Sequence, residues 1–351
     1  MDGTANGTAV VVGAGVGGLA TAAGLRRAGW SVTVLERRTA LERYGTAFGI
    51  HPTAQAALDR LGAGEEFRAK AVPYRGAHIR TPEGKVLASL PLERIERKAG
   101  RPELLVSRPY LVDALVAVAA GPGESPIRFG ENVFDIEALA SGHDLLVGAD
   151  GINSVVRTAC FGERSRPRHA GSVAWIGTAD FESEVYGETW GSGRFFGITP
   201  VEPGRTNWYA TVPAATSAEE LRDRFEGWHD PIPRILGGTD PSAWIRYEMR
   251  HLHPDLPAFV HAGNIALVGD AAHAMTPNLG QGACTAILDA EALVRSVVRH
   301  GRTALPDALR AYDSERRRSA QRVALASRKL HRFMSTTRTG PRDALLRLLP
   351  G

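Results

Sequence analysis

The sequence predicts an α/β protein in which a nucleotide-binding domain with a buried parallel sheet is interleaved with a smaller β-sheet domain and followed by a C-terminal helix. Three observations carry this expectation. A strand, a glycine-rich turn, a helix and a second strand open the chain between Thr8 and Glu36. Two more short apolar strands lead into Asp150-Gly151 and Gly269-Asp270, and five of the six tryptophans crowd into the aromatic-rich stretch 171–247 between them. Short buried strands alternating with helices are the pattern of a covered parallel sheet, and a run of aromatic-rich strands builds a separate layer.

Taken in order, Thr8 to Gly13 reads as a short buried strand, Gly15 to Gly29 as a helix and Ser31 to Glu36 as a β-branched strand. Arg75 to Leu90 alternates apolar and polar residues around Thr81-Pro82-Glu83-Gly84, which is turn chemistry between the arms of a hairpin. Pro109 to Ala120 reads as a helix with Pro109 in its first turn and Leu111, Leu115 and Val118 on one face. Leu145 to Ala149 and Ile265 to Val268 are short apolar strands, and the second leads through the loop Pro277 to Gly282 into a helix from Ala283 to Arg299. Leu305 to Met334 reads as a long amphipathic helix whose charge run, Ser314 to Arg322, is expected on a solvated face. No repeat or linker separates the parts. The expected division is 1–74, 101–163 and 261–300 for the nucleotide domain, 75–100 and 164–260 for the second domain, and 301–351 for the C-terminal helical region.

Composition narrows the function classes. A chain of 351 residues with 43% hydrophobic content suits a soluble globular protein with two cores. The net charge of +4 arises from 38 arginines against only Lys70, Lys85, Lys98 and Lys329, and no basic stretch is interleaved with aromatics. Nucleic acid is therefore not an expected partner. Cys160 and Cys284 lie too far apart for a CxxC motif and are too few for a disulfide scaffold, which points to a reducing, cytoplasmic setting without a metal site. The uncharged run Ala9 to Leu25 lacks a basic segment before it and holds five glycines, so a nucleotide-binding turn explains it better than a signal peptide or membrane span.

Within that turn Gly13 permits a tight bend, Gly15 lets a pyrophosphate approach the backbone, and Gly18 lets the helix pack on the strand. The helix N-terminus then faces phosphate charge. Glu36 closes the second strand, where a carboxylate accepts from ribose hydroxyls or stands as a surface acid. Arg37 and Arg38 follow; an arginine here stacks on adenine, pairs with a 2′-phosphate or is simply solvated. Asp150 is placed to cap a helix beyond Gly151. Asp270 is placed to accept from a polyol, ahead of a loop whose glycines expose bare N–H groups.

Val11 to Gly18, Gly148-Ala149-Asp150-Gly151 and Gly269-Asp270-Ala271-Ala272-His273 together resemble the class A flavin monooxygenases, which include para-hydroxybenzoate hydroxylase, salicylate hydroxylase and zeaxanthin epoxidase. Asp150, Gly151, Ser154 and Arg157 match the family's DGxxSxxR motif, and Arg108, Leu111 and Leu115 its R-x-x-L-x-x-x-L helix. The resemblance implies a Rossmann-type FAD-binding domain. It places Arg37 at the FAD ribose and adenine, Arg108 at the flavin nucleotide, Asp150 and Gly151 near both FAD and NAD(P)H, Asp270 on the ribityl chain, and Pro277, Gly280 and Gly282 in the loop beside the flavin ring.

The same resemblance implies that Gly45 to Pro52 passes the flavin toward the substrate. His51 is therefore a candidate base for ionising a phenol, with a structural histidine as the alternative; His273 is expected to support its loop. NADPH or NADH is implied as transient reductant, with O2 captured as a flavin C4a-hydroperoxide that hydroxylates or epoxidises a small molecule in a monomer or homodimer. The aromatic content of 171–247 favours an apolar aromatic or polycyclic substrate. Phe129 to Asp144 leaves little room for the family's strand meander, so this part is expected to be trimmed. The WxWxIP segment of flavin halogenases and the YxWxFP segment of isoprenoid reductases are absent. A flavin-dependent oxidase or reductase of the same superfamily and a non-catalytic flavin-binding protein stand as the alternatives.

Overall fold

The computed structural model describes residues 6–41, 47–121 and 125–348. Its central strand, Thr8–Val12, is buried from Ala9 onward, as expected of a strand covered on both faces. It pairs in parallel with Ser31–Glu36 on one side and Leu145–Gly148 on the other. The complete six-stranded sheet runs Val260–His261, Ile265–Leu267, Leu145–Gly148, Thr8–Val12, Ser31–Glu36, Ile127–Phe129. The first helix, Val16–Arg27, packs against the helices Arg108–Ala120 and Gly282–His300. Between Phe129 and Leu145 the chain forms no strand but one short helix, Ile136–Ser141, capped where the Asp135 carboxylate accepts from the Ala138 N–H at 2.9 Å.

Residues 77–89 and 168–251 meet in one seven-stranded sheet, ordered Ile245–His251, Arg168–Ala179, Arg205–Pro213, Phe195–Glu202, Tyr186–Trp190, Ala77–Arg80, Val86–Ser89. Alternation along each strand gives this sheet two different faces. One face presents Trp175, Phe196, Ile198 and Trp208, which bury themselves against Phe225, Trp228, Ile232 and Trp244. Trp190 belongs to a separate cluster with Phe195, Met334 and Leu346. The tryptophans thus report cores, and four of those five form the layer behind the sheet. Aromatic strands and helices together cover that face of the sheet.

A third sheet of three strands, Ala47–Ile50, Leu104–Ser107 and Val72–Pro73, packs against Phe195–Glu202 and joins the two larger layers. Sequence reading did not separate it from the nucleotide domain. Among the described residues no helix is long and apolar enough to cross a membrane, and no group of three or more side chains is set to hold a metal ion.

The long helix Leu305–Met334 departs from expectation at one residue. Arg316, inside the charge run expected in solvent, is buried, and its Nε donates to the Asp289 carboxylate at 2.9 Å. Asp289 lies on the buried side of the helix Gly282–His300 and has no exposure. It also accepts from the Gly269 N–H at 3.0 Å and from His273 Nε2 at 2.5 Å. A charge in this position needs such saturation, which pulls one residue of an otherwise solvated helix face inward.

Burial acts to raise the Asp289 carboxyl, but His273, the Arg316 guanidinium and the Gly269 amide outweigh it and hold the group below its usual value. A carboxyl lowered in the folded state adds stability above its unfolded pKa, and that stability is lost as pH falls through the folded pKa. The stability of the protein is therefore expected to fall below about pH 4. Asp289→Asn should flatten that dependence and cost about 3–5 kcal/mol at neutral pH by stranding Arg316. Urea titrations of both proteins at pH 7 and pH 3 check this; an unaltered pH slope in the variant would assign the effect to other carboxyls.

Candidate functional site

The glycines of the nucleotide turn answer to two different demands. Gly13 has φ of 105°, and a Cβ there would sit 2.5 Å from the Ala149 carbonyl oxygen. A Cβ on Gly18 would sit 2.0 Å from the Gly13 oxygen, so this glycine allows the helix its approach to the strand. Gly280 lies in the left-handed region with φ of 63°. Gly15 and Gly282 have none of these reasons: neither has a positive φ, and among the described residues a Cβ on either would meet nothing within 4 Å. Both stand at the starts of long helices, Val16–Arg27 and Gly282–His300, and neither helix has a side-chain N-cap hydrogen bond. Helix starts bare of side chains leave room for a phosphate or ring to approach the first N–H groups.

Ala14, Gly15, Glu36, Arg38, Leu41, Arg108 and Val112 line one concavity beside the first helix. Glu36 accepts through Oε2 from the Ala14 N–H and through Oε1 from the Arg38 N–H, both at 2.9 Å. The carboxylate thus holds the glycine turn in shape, a role sequence reading missed, and keeps acceptor capacity for a ribose. Arg37 is exposed and does not border this concavity, whereas Arg38 does. Successive side chains at the end of a strand turn to opposite sides, and the register selects the second arginine.

Asp150 uses its carboxylate as a helix cap, accepting from Ser154 Oγ at 2.5 Å and from the N–H groups of Val155 and Val156 at 2.7 and 3.2 Å. Gly151 follows with φ of 77°. The buried guanidinium of Arg157 donates to the carbonyls of Ile152 at 2.7 Å, Ser165 at 2.9 Å and Ala271 at 3.2 Å. The second motif is thereby fastened to the third. Asp270 itself forms no side-chain hydrogen bond among the described residues, and burial pushes its carboxyl up against the opposing charges of His273, Arg157 and Arg108. Tyr247, on the edge strand of the large sheet, is near enough that the Asp270 charge adds to the burial raising its phenol.

His51 precedes the helix Pro52–Leu61, its N–H 3.4 Å from Cys284 Sγ, whose thiol donates to the Gly49 carbonyl at 3.1 Å. Gly45 and Thr46, the start of the segment read as passing the flavin, lie outside the described residues. His51 Nδ1 is 3.2 Å from Glu103 Oε2. Burial raises the Glu103 carboxyl, and the His51 charge opposes that shift. Sequence reading did not select Glu103; its only local signal is one acid leading into the apolar run Leu104-Leu105-Val106. Pro277 opens the short turn Pro277–Leu279, and Asn278 Nδ2 donates to Met334 Sδ at 3.3 Å.

An FAD binding domain family model matches residues 7–327. Over 332 residues, covering 88% of this chain and 85% of the relative, the sequence is 35% identical to an aurachin C monooxygenase/isomerase of Stigmatella aurantiaca. The chain belongs to the class A FAD-dependent monooxygenases. The monooxygenase is also 31% identical to an FAD-dependent urate hydroxylase of Klebsiella pneumoniae, with 92% of this chain and 88% of that one covered. The solved structure of Klebsiella pneumoniae HpxO with FAD and uric acid superposes with a TM-score of 0.86 at 26% identity, covering 100% of this chain and 95% of that one.

Two substitutions separate the demands. Gly15→Val should leave the fold within about 0.5 kcal/mol of wild type, since a Cβ there meets no atom of the described residues, while abolishing FAD retention. Gly18→Ala should cost at least about 1–3 kcal/mol, because its methyl collides with backbone. Denaturant titration and the flavin absorbance of the purified variants read both effects; full FAD occupancy in Gly15→Val would sink the cradle assignment.

Proposed function

We propose that this protein is a cytoplasmic monooxygenase that uses FAD, NADPH or NADH, and O2 to hydroxylate an electron-rich aromatic or polycyclic small molecule. The observation that carries the reading is the pair Gly15 and Gly282, two helix starts kept bare of side chains, with an Asp270 carboxylate between their segments that forms no hydrogen bond among the described residues. In this reading the N–H groups beyond Gly15 hold the pyrophosphate, Glu36 and Arg38 the adenosine side, Arg108 the nucleotide and Asp270 the ribityl hydroxyls. Pro277, Gly280 and Gly282 bring backbone N–H groups to the flavin ring. Bound FAD supplies the redox chemistry, taking two electrons from NAD(P)H and activating O2. One oxygen atom enters the substrate C–H and the other leaves as water.

The protein's own share is orientation, exclusion of water and proton handling. Glu103 keeps the His51 proton on Nδ1, so that Nε2 accepts a proton from the substrate. The relatives support an aromatic ring as substrate: one is named a urate hydroxylase and another, 32% identical, a 2-heptyl-3-hydroxy-4(1H)-quinolone synthase.

Asp270→Ala should weaken FAD binding about tenfold to a hundredfold without unfolding the protein, the effect of losing a charge-assisted hydrogen bond. Titration of apoprotein with FAD measures this, and an unaltered affinity would count decisively against the ribityl role.

The function itself is tested by following NAD(P)H consumption with and without a panel of aromatic compounds, then by mass spectrometry of the product. Consumption indifferent to every compound would instead identify an oxidase or reductase. His51→Ala should slow substrate-dependent turnover by about 10²–10⁴-fold with FAD still bound. Full turnover in that variant, or joint loss of flavin and stability, would make His51 structural.

A further inference from the structure

The face of the seven-stranded sheet opposite the tryptophan core carries one acid, Glu188, that the reading above does not use. Its carboxylate accepts from Tyr209 Oη at 2.5 Å and from Trp190 Nε1 at 2.7 Å. The tyrosine is aimed there by a missing side chain. Gly197 pairs with both Tyr209 and Glu188, and a Cβ on Gly197 would fall 2.0 Å from the Tyr209 ring. The ring therefore lies across the glycine and brings its hydroxyl to the acid on the next strand.

Burial raises both Glu188 and Tyr209, yet neither residue is fully enclosed. Two sets of neighbours locate the pair. Tyr209 packs into the cluster that contains Met334, whose sulfur accepts from Asn278 in the flavin-side turn. On the other side Tyr74 feels the charge of both Glu188 and Glu103, and Glu103 contacts His51. The pair thus lies between the turn assigned to the flavin ring and the histidine assigned as base.

We infer that Glu188 and Tyr209 are specificity-determining residues that accept a hydrogen bond from a ring N–H of a nitrogen-containing bicyclic aromatic substrate. The inference rests on the monooxygenase reading and names its substrate class. Each carboxylate oxygen has one donor and a second lone pair, and the tyrosine oxygen adds another acceptor. A site that offers acceptors selects a donor. It rejects a substrate carboxylate, which would place a second anion beside a desolvated one. A ring N–H satisfies the acceptor without adding an ionisable oxygen.

The probes are 4(1H)-quinolone and 1-methyl-4-quinolone, which differ in that donor and in the methyl that replaces it, so the variants below separate hydrogen bonding from bulk. Their dissociation constants are read on the FAD-loaded protein from the perturbation of flavin absorbance. The wild type is expected to prefer the N–H compound by about tenfold or more, the loss usual when a buried acceptor goes unpaired. Glu188→Gln and Tyr209→Phe should each shrink that preference severalfold while FAD occupancy stays full, with KM changing more than kcat. Should Glu188→Gln fail to retain FAD, Tyr209→Phe decides alone. Equal binding of the two probes by the wild type, failure to bind either, or a preference that survives in Tyr209→Phe overturns the inference. Oxygen transfer to aromatics without N–H selectivity sinks this inference and leaves the monooxygenase standing. Selective binding with no oxygen transfer to any aromatic does the reverse.

Discussion

Asp289 is the point on which the flavin-side half of the molecule depends. A carboxylate with no exposure must find its donors within the fold, and Asp289 takes them from the Gly269 amide, His273 and Arg316. Those donors belong to the turn after the strand Ile265–Leu267, the short helix Asp270–His273 and the long C-terminal helix. One buried charge therefore sets the mutual position of three elements, because relaxing any of them leaves a desolvated charge unpaired. Arg157 acts in the same way from the opposite side, donating to the Ala271 carbonyl while anchored to Ile152 and Ser165. Between these two networks the backbone of Asp270 is fixed, and its carboxylate accepts no hydrogen bond among the described residues.

The glycine pattern becomes informative when each position is asked what forbids a side chain. Gly13 and Gly18 are excluded by the protein's own backbone, at 2.5 and 2.0 Å. Gly15 and Gly282 are not. A nucleotide signature therefore mixes residues that the protein's own backbone requires with residues that it does not. The Glu36 carboxylate supports the turn and borders the concavity beside it.

Substrate chemistry draws on a different part of the chain. The three-stranded sheet carries the segment of His51 and lies against the strand Phe195–Glu202 of the large sheet. This junction brings Glu103, Tyr74, Glu188 and Tyr209 into one acidic, desolvated neighbourhood. Such groups are stabilising only when paired.

The parallel sheet, the glycine turn and the three cofactor motifs were legible in the chain because each rests on local rules. A buried parallel strand is continuously apolar, a tight turn needs glycine, and a capping acid sits at a set distance from its helix. The long helix Leu305–Met334 was legible for the same reason, through its amphipathic period. Four things were decided only by tertiary structure: the burial of Arg316, the choice of Arg38 over Arg37 at the concavity, the pairing of Glu103 with His51, and the placing of Glu188 under Tyr209 across Gly197. Each joins residues from separate strands or helices, and no spacing along the chain encodes which distant group will neutralise a buried charge. The tryptophans show the converse. Their abundance announced a second sheet, but which face they covered depended on where the helices packed, and that left the opposite face to the site.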